Sequence, residues 1–490
     1  MVMTKIIYIY IIGCLLFTSC SNSVKPDFYN MQNPPISPDY ANVTVPINIA
    51  PLNFCMPDSC IFTNVRAILK SGDITIEITD KDGNIKIPAN NWNKLLNAST
   101  SIKIRLQIEK DGKWEEYNPF NIYVEKDKID PYIAYRLIEP GYETWNEMGI
   151  YQRCLENYEE TAIITNKMTG YGCMNCHSFC KGNPEKMLFH IRTDYGGTYI
   201  IDKGEIKKYN TKTPQTISAL VYPSWHPSGN FVAFSVNNTK QMFHTTDKNR
   251  IEVMDYASDV VIYDVNKQNI ISSPLLSSPA AFETFPAFSA DGKTLYFCSA
   301  DTVNMPNEYD KVKYSLCSIS YNPEKQIFGN KVDTLYNAKK NGKSVSFPRV
   351  SPDGKFLMFT LASYGNFSIW HKDADLYLIN IKTNKTECLT ELNSTDVESY
   401  HSWSSNGRWV IFSSRRLDGL YTRPFIAYIN KDGKASKPFL LPQKDTDYYT
   451  FLMKSYNIPE FITGKVKVEP YSISRTAKQE KGIDIKYQNE

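Results

Sequence analysis

Histidine is scarce in this 490-residue chain, with six residues in all. That scarcity weighs against hydrolytic or metal centres built from several imidazoles. Neither H-E-x-x-H nor a G-x-S-x-G nucleophile elbow occurs. An excess of one charge is lacking too: 55 Lys and Arg stand against 52 Asp and Glu, a formal net charge of +3. So even a balance gives no basic surface for nucleic acid. Beyond the first twenty residues no apolar run approaches the roughly 20 residues that a membrane-spanning helix needs.

Aromatic residues, in contrast, make up 13% of the chain, with 33 Tyr. That composition favours β-rich structure over helical bundles. The N-terminus reads as an export signal. Lys5 supplies a short positive region, and Ile6 to Phe17 is an apolar run of twelve residues. Such a run is too short to span a bilayer and fits a signal-peptide core. Phe17-Thr18-Ser19-Cys20 resembles a lipobox, with Phe17 where Leu is usual. On this reading residues 1–20 are a lipoprotein signal and Cys20 is the lipid anchor to the membrane. Residues 21–40 hold Pro26, Pro34, Pro35 and Pro38 among polar residues, as a tether does. No acidic cluster follows Cys20. The expected address is the bacterial cell envelope, at the outer membrane facing the periplasm.

Residues 41–130 alternate apolar and polar with period two. Ile74-Thr75-Ile76-Glu77-Ile78 and Ile102 to Ile108 are the clearest strands, with turns at Asp82-Gly83 and Asp111-Gly112. Their size predicts a small immunoglobulin-like β-sandwich. Residues 131–170 are less regular and are expected as a connector. Short helices are predicted over Tyr132 to Arg136 and Trp145 to Tyr158, with a break at Pro140-Gly141. The Lys/Glu/Gln-rich stretch 471–490 is expected to be a flexible tail.

From residue 171 to about 470 one pattern recurs. Its copies are Pro223-Ser-Trp225-His226-Pro-Ser-Gly229, Pro286-Ala-Phe288-Ser-Ala-Asp-Gly292, Pro348-Arg-Val350-Ser-Pro-Asp-Gly354 and His401-Ser-Trp403-Ser-Ser-Asn-Gly407. Each runs into an apolar strand. The glycines at 229, 292, 354 and 407 are 53–63 residues apart. In each copy the residue two after the Pro (or His401) anchors a strand end, the polar triplet with Gly makes a tight turn, and the apolar run is a buried strand. Hairpins that cannot bury their faces alone stack radially. These copies resemble TolB-type β-propeller repeats over about residues 185–445. The fold class expected is therefore mainly β: the sandwich, then a TolB-like propeller of five or six blades. Either the 131–170 segment or the chain after 445 would complete the sixth. Trp225, His226, His401 and Trp403 are accounted for by turn and core packing.

Cys173-Met174-Asn175-Cys176-His177 is the sharpest chemical signal. C-x-x-C-H is the spacing of c-type haem attachment. Cys173 and Cys176 would carry the thioethers and His177 would be the proximal iron ligand. Gly182 lies 47 residues before Gly229, so the motif is expected as a loop at the head of a blade, against the connector. His190 and Met187 are the nearest candidates for the distal ligand, on opposite faces of one strand. Arg192, sharing a face with His190, is placed to pair with a propionate. Met148 and Met168 are further candidates. A redox dithiol and a structural metal site are the alternatives at this motif. The whole pattern resembles Bacteroidetes envelope lipoproteins that combine TolB-like repeats with a CMNCHSF-like segment, a resemblance that implies architecture and haem c rather than a reaction.

Of eleven Cys, Cys14 leaves with the signal, Cys20 takes lipid and two belong to the motif. Seven remain, an odd number, so one at least is unpaired within the chain. Cys55 with Cys60 is the short-loop disulfide candidate, and Cys154 with Cys180 another. Cys298 reads as buried. Three functions compete. A haem-bearing electron-transfer lipoprotein with a redox or envelope protein partner leads, a non-enzymatic scaffold docking proteins or glycans in its axial channel follows, and a hydrolase comes last because no catalytic constellation is found.

Overall fold

The computed structural model describes residues 25–140 and 146–488. The signal and Cys20 lie outside these described residues. The apolar runs after each turn motif pair into antiparallel sheets, and six such sheets form the blades of a β-propeller. Five follow the chain. In blade 2 the strands are Met174–Phe179, Lys186–Ile191, Gly197–Asp202 and Glu205–Asn210; blade 3 begins at Val221–Trp225, blade 4 at Ala281–Phe288, blade 5 at Ser344–Val350 and blade 6 at Glu398–Trp403.

Blade 1 is composite. Its three outer strands are Tyr132–Ile138, Gly149–Cys154 and Glu160–Thr165, and its inner strand is the distant Ser455–Ile462. Both candidate segments therefore build the sixth blade together. The connector expected at 131–170 is sheet, and the short helices expected within it are strands. The physical reason is in the residues: Tyr132-Ile-Ala-Tyr-Arg-Leu-Ile138 and Gly149 to Cys154 bury both faces between blades, so no two-residue alternation marks them.

One backbone irregularity repeats six times. In every blade the inner strand advances three residues while its neighbour advances two. The register pairs Asn175–His190 with Ser178–Leu188, Val221–Ser235 with Ser224–Ala233, and Thr284–Cys298 with Ala287–Tyr296. The same slip occurs at Ser346/Arg349, Ser399/Ser402 and Asn457/Glu460. Each is a β-bulge with one extra residue. Its first residue holds a positive φ: Cys176 54°, Tyr222 50°, Phe285 49°, Phe347 52°, Tyr400 52° and Ile458 52°. A left-handed conformation costs an L-residue roughly 1–2 kcal/mol, so packing must impose it. The next residue is Pro223, Pro286, Pro348 or Pro459 in four blades and His177 or His401 in two. Proline suits this place because a bulge frees the strand from donating there.

Blades interlock through the two residues that follow. Trp225 Nε1 donates to Ser178 O of the preceding blade (3.2 Å), and Trp403 Nε1 donates to Arg349 O in the same way (3.2 Å). Phe288 N donates to Ser224 Oγ (3.3 Å), and Phe179 N donates to Glu460 Oε1 (3.1 Å). His226 Nε2 bonds Gly292 O at 3.1 Å in the neighbouring turn. Packing thus accounts for Trp225, His226 and Trp403, as their place in the repeat implies.

The N-terminal unit has a seven-stranded sheet and a separate two-stranded ribbon that pairs Phe54–Cys55 with Asn84–Ile85. Asp111-Gly112 makes the expected hairpin turn, with φ of 52° and 74°. The helix Ala89–Ala98 takes the place of a second sheet, burying Trp92, Leu95 and Leu96 against Ala67, Leu69 and Ile104. The immunoglobulin-like sandwich expected over residues 41–130 is not confirmed by these strands. The unit shares a core with blades 5, 6 and 1, and Trp409 Nε1 ties it down at Asp127 O (2.9 Å). The chain's end is likewise structured rather than a loose tail. The helix Pro470–Gln479 buries Ile473 and Ala477, and Ile483–Asp484 and Lys486–Tyr487 add parallel strands to blades 2 and 3.

Blade 1 has no other inner strand, so truncation at Lys454 should open the ring. We expect the truncated chain to melt well below the full chain and to lose a single cooperative transition, measured by calorimetry. Equal melting would show that closure contributes nothing.

Candidate functional site: the axial funnel and the C-x-x-C-H segment

The six inner strands enclose a funnel of about 570 Å³ on the side of the turns that hold Gly229, Gly292, Gly354 and Gly407. Its depth is set by the bulges. Tyr222, Phe285, Phe347 and Tyr400 project from consecutive blades and pack ring against ring in tilted and edge-on contacts, with centroids 4.5, 4.2 and 4.8 Å apart. Cys176 and Ile458 fill the two remaining places of this ring. The aromatic plug makes the funnel a blind cup.

Three charged side chains line it: Lys181, Arg349 and Glu460. The Arg349 guanidinium donates from Nη1 to Pro348 O (3.0 Å) and makes no other hydrogen bond among the described residues. Glu460 accepts Phe179 N on Oε1 only. Burial pushes its carboxyl up to about 8, with the Phe179 N–H and the Arg349 charge pulling the other way. Arg349 and Glu460 are close enough to influence one another's charge, yet form no ion pair within 4 Å. Ser402 Oγ is buried without a partner.

Met174 to His177 sits on the inner strand of blade 2 with Cys173 immediately before it, so the motif is not a loop at the blade's head. The turn lies beyond, at Lys181-Gly182-Asn183. Cys176 and His177 are the two bulge residues, so His177 stands where four blades carry Pro and blade 6 carries His401. The two histidines are placed alike. His401 Nε2 bonds Met358 O of the preceding blade at 3.0 Å. His177 faces the equivalent backbone, at Ala134 and Ile458, without a formed hydrogen bond on either ring nitrogen. Burial, reinforced by Arg136, lowers His177 to about 4. Burial and Arg349 lower His401 to about 3. Burial raises the Cys176 thiol, which disfavours the reactive thiolate.

The donor set suits a c-type haem: two thiols at the right spacing and an adjacent imidazole. The space does not. Cys176 and His177 touch the funnel, but Cys173 is packed into the core between blades 1 and 2 with Met148, Met174 and Ile191. As folded, the chain leaves no room for a porphyrin across both thiols. The distal candidates divide as strand alternation requires. Met187 is buried on the blade 1 side. His190 faces blade 3, bonded through Nδ1 to Thr198 Oγ1 (2.8 Å) and tilted against Phe234. His177 and His190 therefore point away from one another and cannot share an iron. Met148 Sδ accepts Met174 N (3.3 Å), and Met168 packs against the same core. Arg192 lies near Cys176. No group of three or more His, Cys, Asp or Glu stands together among the described residues.

Cys55 and Cys60 are free thiols, as are Cys154, Cys180 and Cys298. Cys55 lies in a short strand with its Sγ donating to Ser37 O (3.4 Å). Cys154 belongs to blade 1, whereas Cys180 packs between blades 2 and 3.

Behind the plug, the long hairpin Phe231–Phe243 and Ile251–Asp264 of blade 3 reaches across to blades 4 and 5. Its Asp255 accepts Asn237 Nδ2 (3.0 Å), Tyr314 OH (2.8 Å) and Asn366 Nδ2. Its Glu252 pairs with His371 Nε2 (2.9 Å) and accepts Tyr364 OH (2.6 Å). None of these residues was singled out by sequence. The plug had a readable signal: an aromatic residue precedes the Pro or His in four repeat copies. Arg349 and Glu460 had none, since both positions carry Ser or Ala in the other blades.

No family model matches the chain, and no curated protein matches it. Several solved structures match parts of the chain at low identity and with TM-scores below 0.5. Dipeptidyl peptidase 4 of Porphyromonas gingivalis is 13% identical, covering 64% of this chain and 52% of that one, with a TM-score of 0.26. A prolyl endopeptidase is 11% identical, covering 63% and 42%, with a TM-score of 0.32. A chain of the mitotic checkpoint complex is 11% identical, covering 55% and 87%, with a TM-score of 0.28. The chain thus spans about half the length of the two peptidases. Its own strand order defines the class: a six-bladed β-propeller.

The repeat makes a sharp prediction at His177. Proline fills the same bulge position in four blades, so His177→Pro should fold, melting within a few degrees of the parent at pH 7. Its folded-state pKa lies below the ordinary 6.5, so the His177 contribution is present above pH 6.5 and lost as pH falls toward 4. The variant should therefore gain on the parent as pH drops, by up to about 3 kcal/mol near pH 4. Denaturant titrations at pH 7 and pH 4.5 check this, and a variant unfolded at pH 7 would refute the equivalence.

Proposed function

We propose that this chain is a non-enzymatic binding propeller of the bacterial envelope that takes its ligand in the axial funnel. The observation that carries the reading is the blind cup itself. It is about 570 Å³ in volume, walled by rings and hydroxyls, and holds Arg349 and Glu460, each with polar atoms that make no protein hydrogen bond among the described residues. Sites of this kind, concave and apolar with a few placed polar groups, are where propellers and other folds bind small ligands or chain ends. The N-terminal unit and the terminal strands brace the ring without covering the funnel walls. Trp225 and Trp403 line the cup, so an occupant should change their fluorescence. With Cys173→Ala and Cys176→Ala together, binding by this fluorescence should stay within about twofold of the parent. Loss of binding in the folded double variant would defeat a reading in which the motif is only wall.

The second reading is a redox lipoprotein with covalent haem c on Cys173 and Cys176 and His177 at the iron. It is supported by the C-x-x-C-H spacing and by the unbonded ring of His177. A haem there would supply one-electron transfer. It requires Cys173 to leave its packing against Met148, and it takes its sixth ligand from some residue other than His190. The spectrum of the native protein in alkaline pyridine separates the two readings. We expect no covalent haem band from the packing of Cys173, and a band in stoichiometric yield would establish the redox reading instead.

Anchoring rests on the sequence alone. Cys20 follows an apolar run and small residues, so the mature chain would start there with acyl chains and face the periplasm. Labelled palmitate should enter the parent and not Cys20→Ala, and the variant should leave the membrane fraction. Labelling that survives the substitution would remove the lipid anchor.

A further inference from the structure

We propose that the funnel is a carboxylate-binding site in which Arg349 and Glu460 together hold one carboxylate, delivered by a peptide C-terminus or by a free organic acid. The proposal rests on the binding reading above. It begins with a departure from the repeat. At the residue after the bulge Pro or His, four blades carry Ser178, Ser224, Ala287 and Ser402, which are small. Two carry Arg349 and Glu460, on blades 5 and 1, which are separated by blade 6. Two long charged side chains therefore converge on one cup from walls that are not adjacent.

Their bonding state points to a ligand. Among the described residues the Arg349 guanidinium bonds only its neighbour Pro348 O, and Nε and Nη2 have no protein partner. Glu460 uses Oε1 to accept Phe179 N, the role that Ser224 Oγ plays for Phe288 N, and leaves Oε2 free. The two groups feel each other's charge but do not form an ion pair. An unfilled gap between a guanidinium fork and a carboxyl group is an arrangement that a ligand can close.

The charge of the cup selects the ligand's sign. Lys181 adds a second cation at the wall, and Asp is absent from the lining. Burial raises the Glu460 carboxyl to about 8, which favours its protonated form at neutral pH, where Oε2 carries an O–H that can donate. Arg349 then offers planar N–H donors, and Glu460 an O–H, to the same pair of ligand oxygens. Guanidinium forks match carboxylates in this way, and a neutral acid beside one adds a donor without adding repulsion. A peptide amide or an amine would meet donors only and would leave Arg349 uncompensated. The rings of Trp225, Trp403 and Phe288 along the wall suit an apolar body behind the carboxylate.

The test uses the full mature chain and three probes: acetyl-Ala-Ala-Phe with a free C-terminus, the same peptide as its amide, and acetate. Calorimetry and Trp fluorescence read the binding. The free-acid peptide should bind and the amide should not. Arg349→Lys, which keeps the charge but loses the fork, should weaken the peptide roughly tenfold or more. Glu460→Gln keeps an acceptor for Phe179 N and replaces the titrating O–H with a weaker amide N–H, so it should bind the free acid more weakly than the parent at pH 7. Above pH 8 the parent should lose affinity by about tenfold per pH unit as Glu460 ionises, whereas Glu460→Gln should stay flat. Acetate competing with the peptide at equal strength would assign the site to small acids. Acetate binding far more weakly would assign it to peptide ends. Equal binding of acid and amide would overturn the carboxylate inference while leaving the funnel as a binding site. Binding of acid alone that ignores both Arg349→Lys and pH would overturn the roles given to Arg349 and Glu460. If no probe binds at millimolar concentration, the carboxylate inference falls, and the funnel reading is left to its own fluorescence test.

Discussion

The six β-bulges on the inner strands are the constraint on which the rest of the molecule depends. Each forces a side chain into a left-handed backbone position that open chain avoids. Each also turns that side chain toward the axis and leaves the next position free of any strand hydrogen bond. From the first effect comes the aromatic plug of Tyr222, Phe285, Phe347 and Tyr400. From the second comes the tolerance for Pro or His at one place in the ring. The interblade bonds of Trp225 and Trp403 begin two residues further on and reuse carbonyls that an inner edge strand would otherwise leave bare. Strain at the bulge, closure of the channel and adhesion between blades are one device seen from three sides.

That device also gives Cys176 and His177 a plain structural meaning. They occupy the bulge of blade 2 as Tyr400 and His401 occupy that of blade 6. A motif that reads as cofactor chemistry along the chain is, in space, a member of a six-fold set. The set explains why His177 is buried and neutral. It also separates His177 from His190, because the two point into different gaps on either side of one blade. Only Cys173, which precedes the bulge and has no counterpart in the repeat, stays outside this account.

Much of the propeller was legible because its turns are spelled out. Gly229, Gly292, Gly354 and Gly407 all have positive φ in tight turns, as their polar neighbours imply. Blade 1 was hard to read for a physical reason. Its strands are buried on both faces and come from two ends of the chain, so neither period nor turn spacing marks them. The N-terminal unit misled in a similar way. Its hairpins are real, but period two cannot say whether a sheet or the helix Ala89–Ala98 covers the buried face. Arg349 and Glu460 were invisible because a charged residue in a repeat looks like a surface substitution until the ring places it inside.

The split origin of blade 1 bears on the order of events during synthesis. Ile138 and Ser455, which pair in the finished sheet, are 317 residues apart, the difference of their numbers. For all the time that those residues take to emerge, Tyr132–Ile138 presents an unpaired edge with apolar faces on both sides. Such an edge is a template for wrong partners, including its own copies on neighbouring chains. The loop to be closed is long, yet the entropic cost of closing it grows only with the logarithm of its length. The hazard is therefore one of waiting rather than of equilibrium. A factor that shelters the nascent chain would matter most until the last forty residues are free.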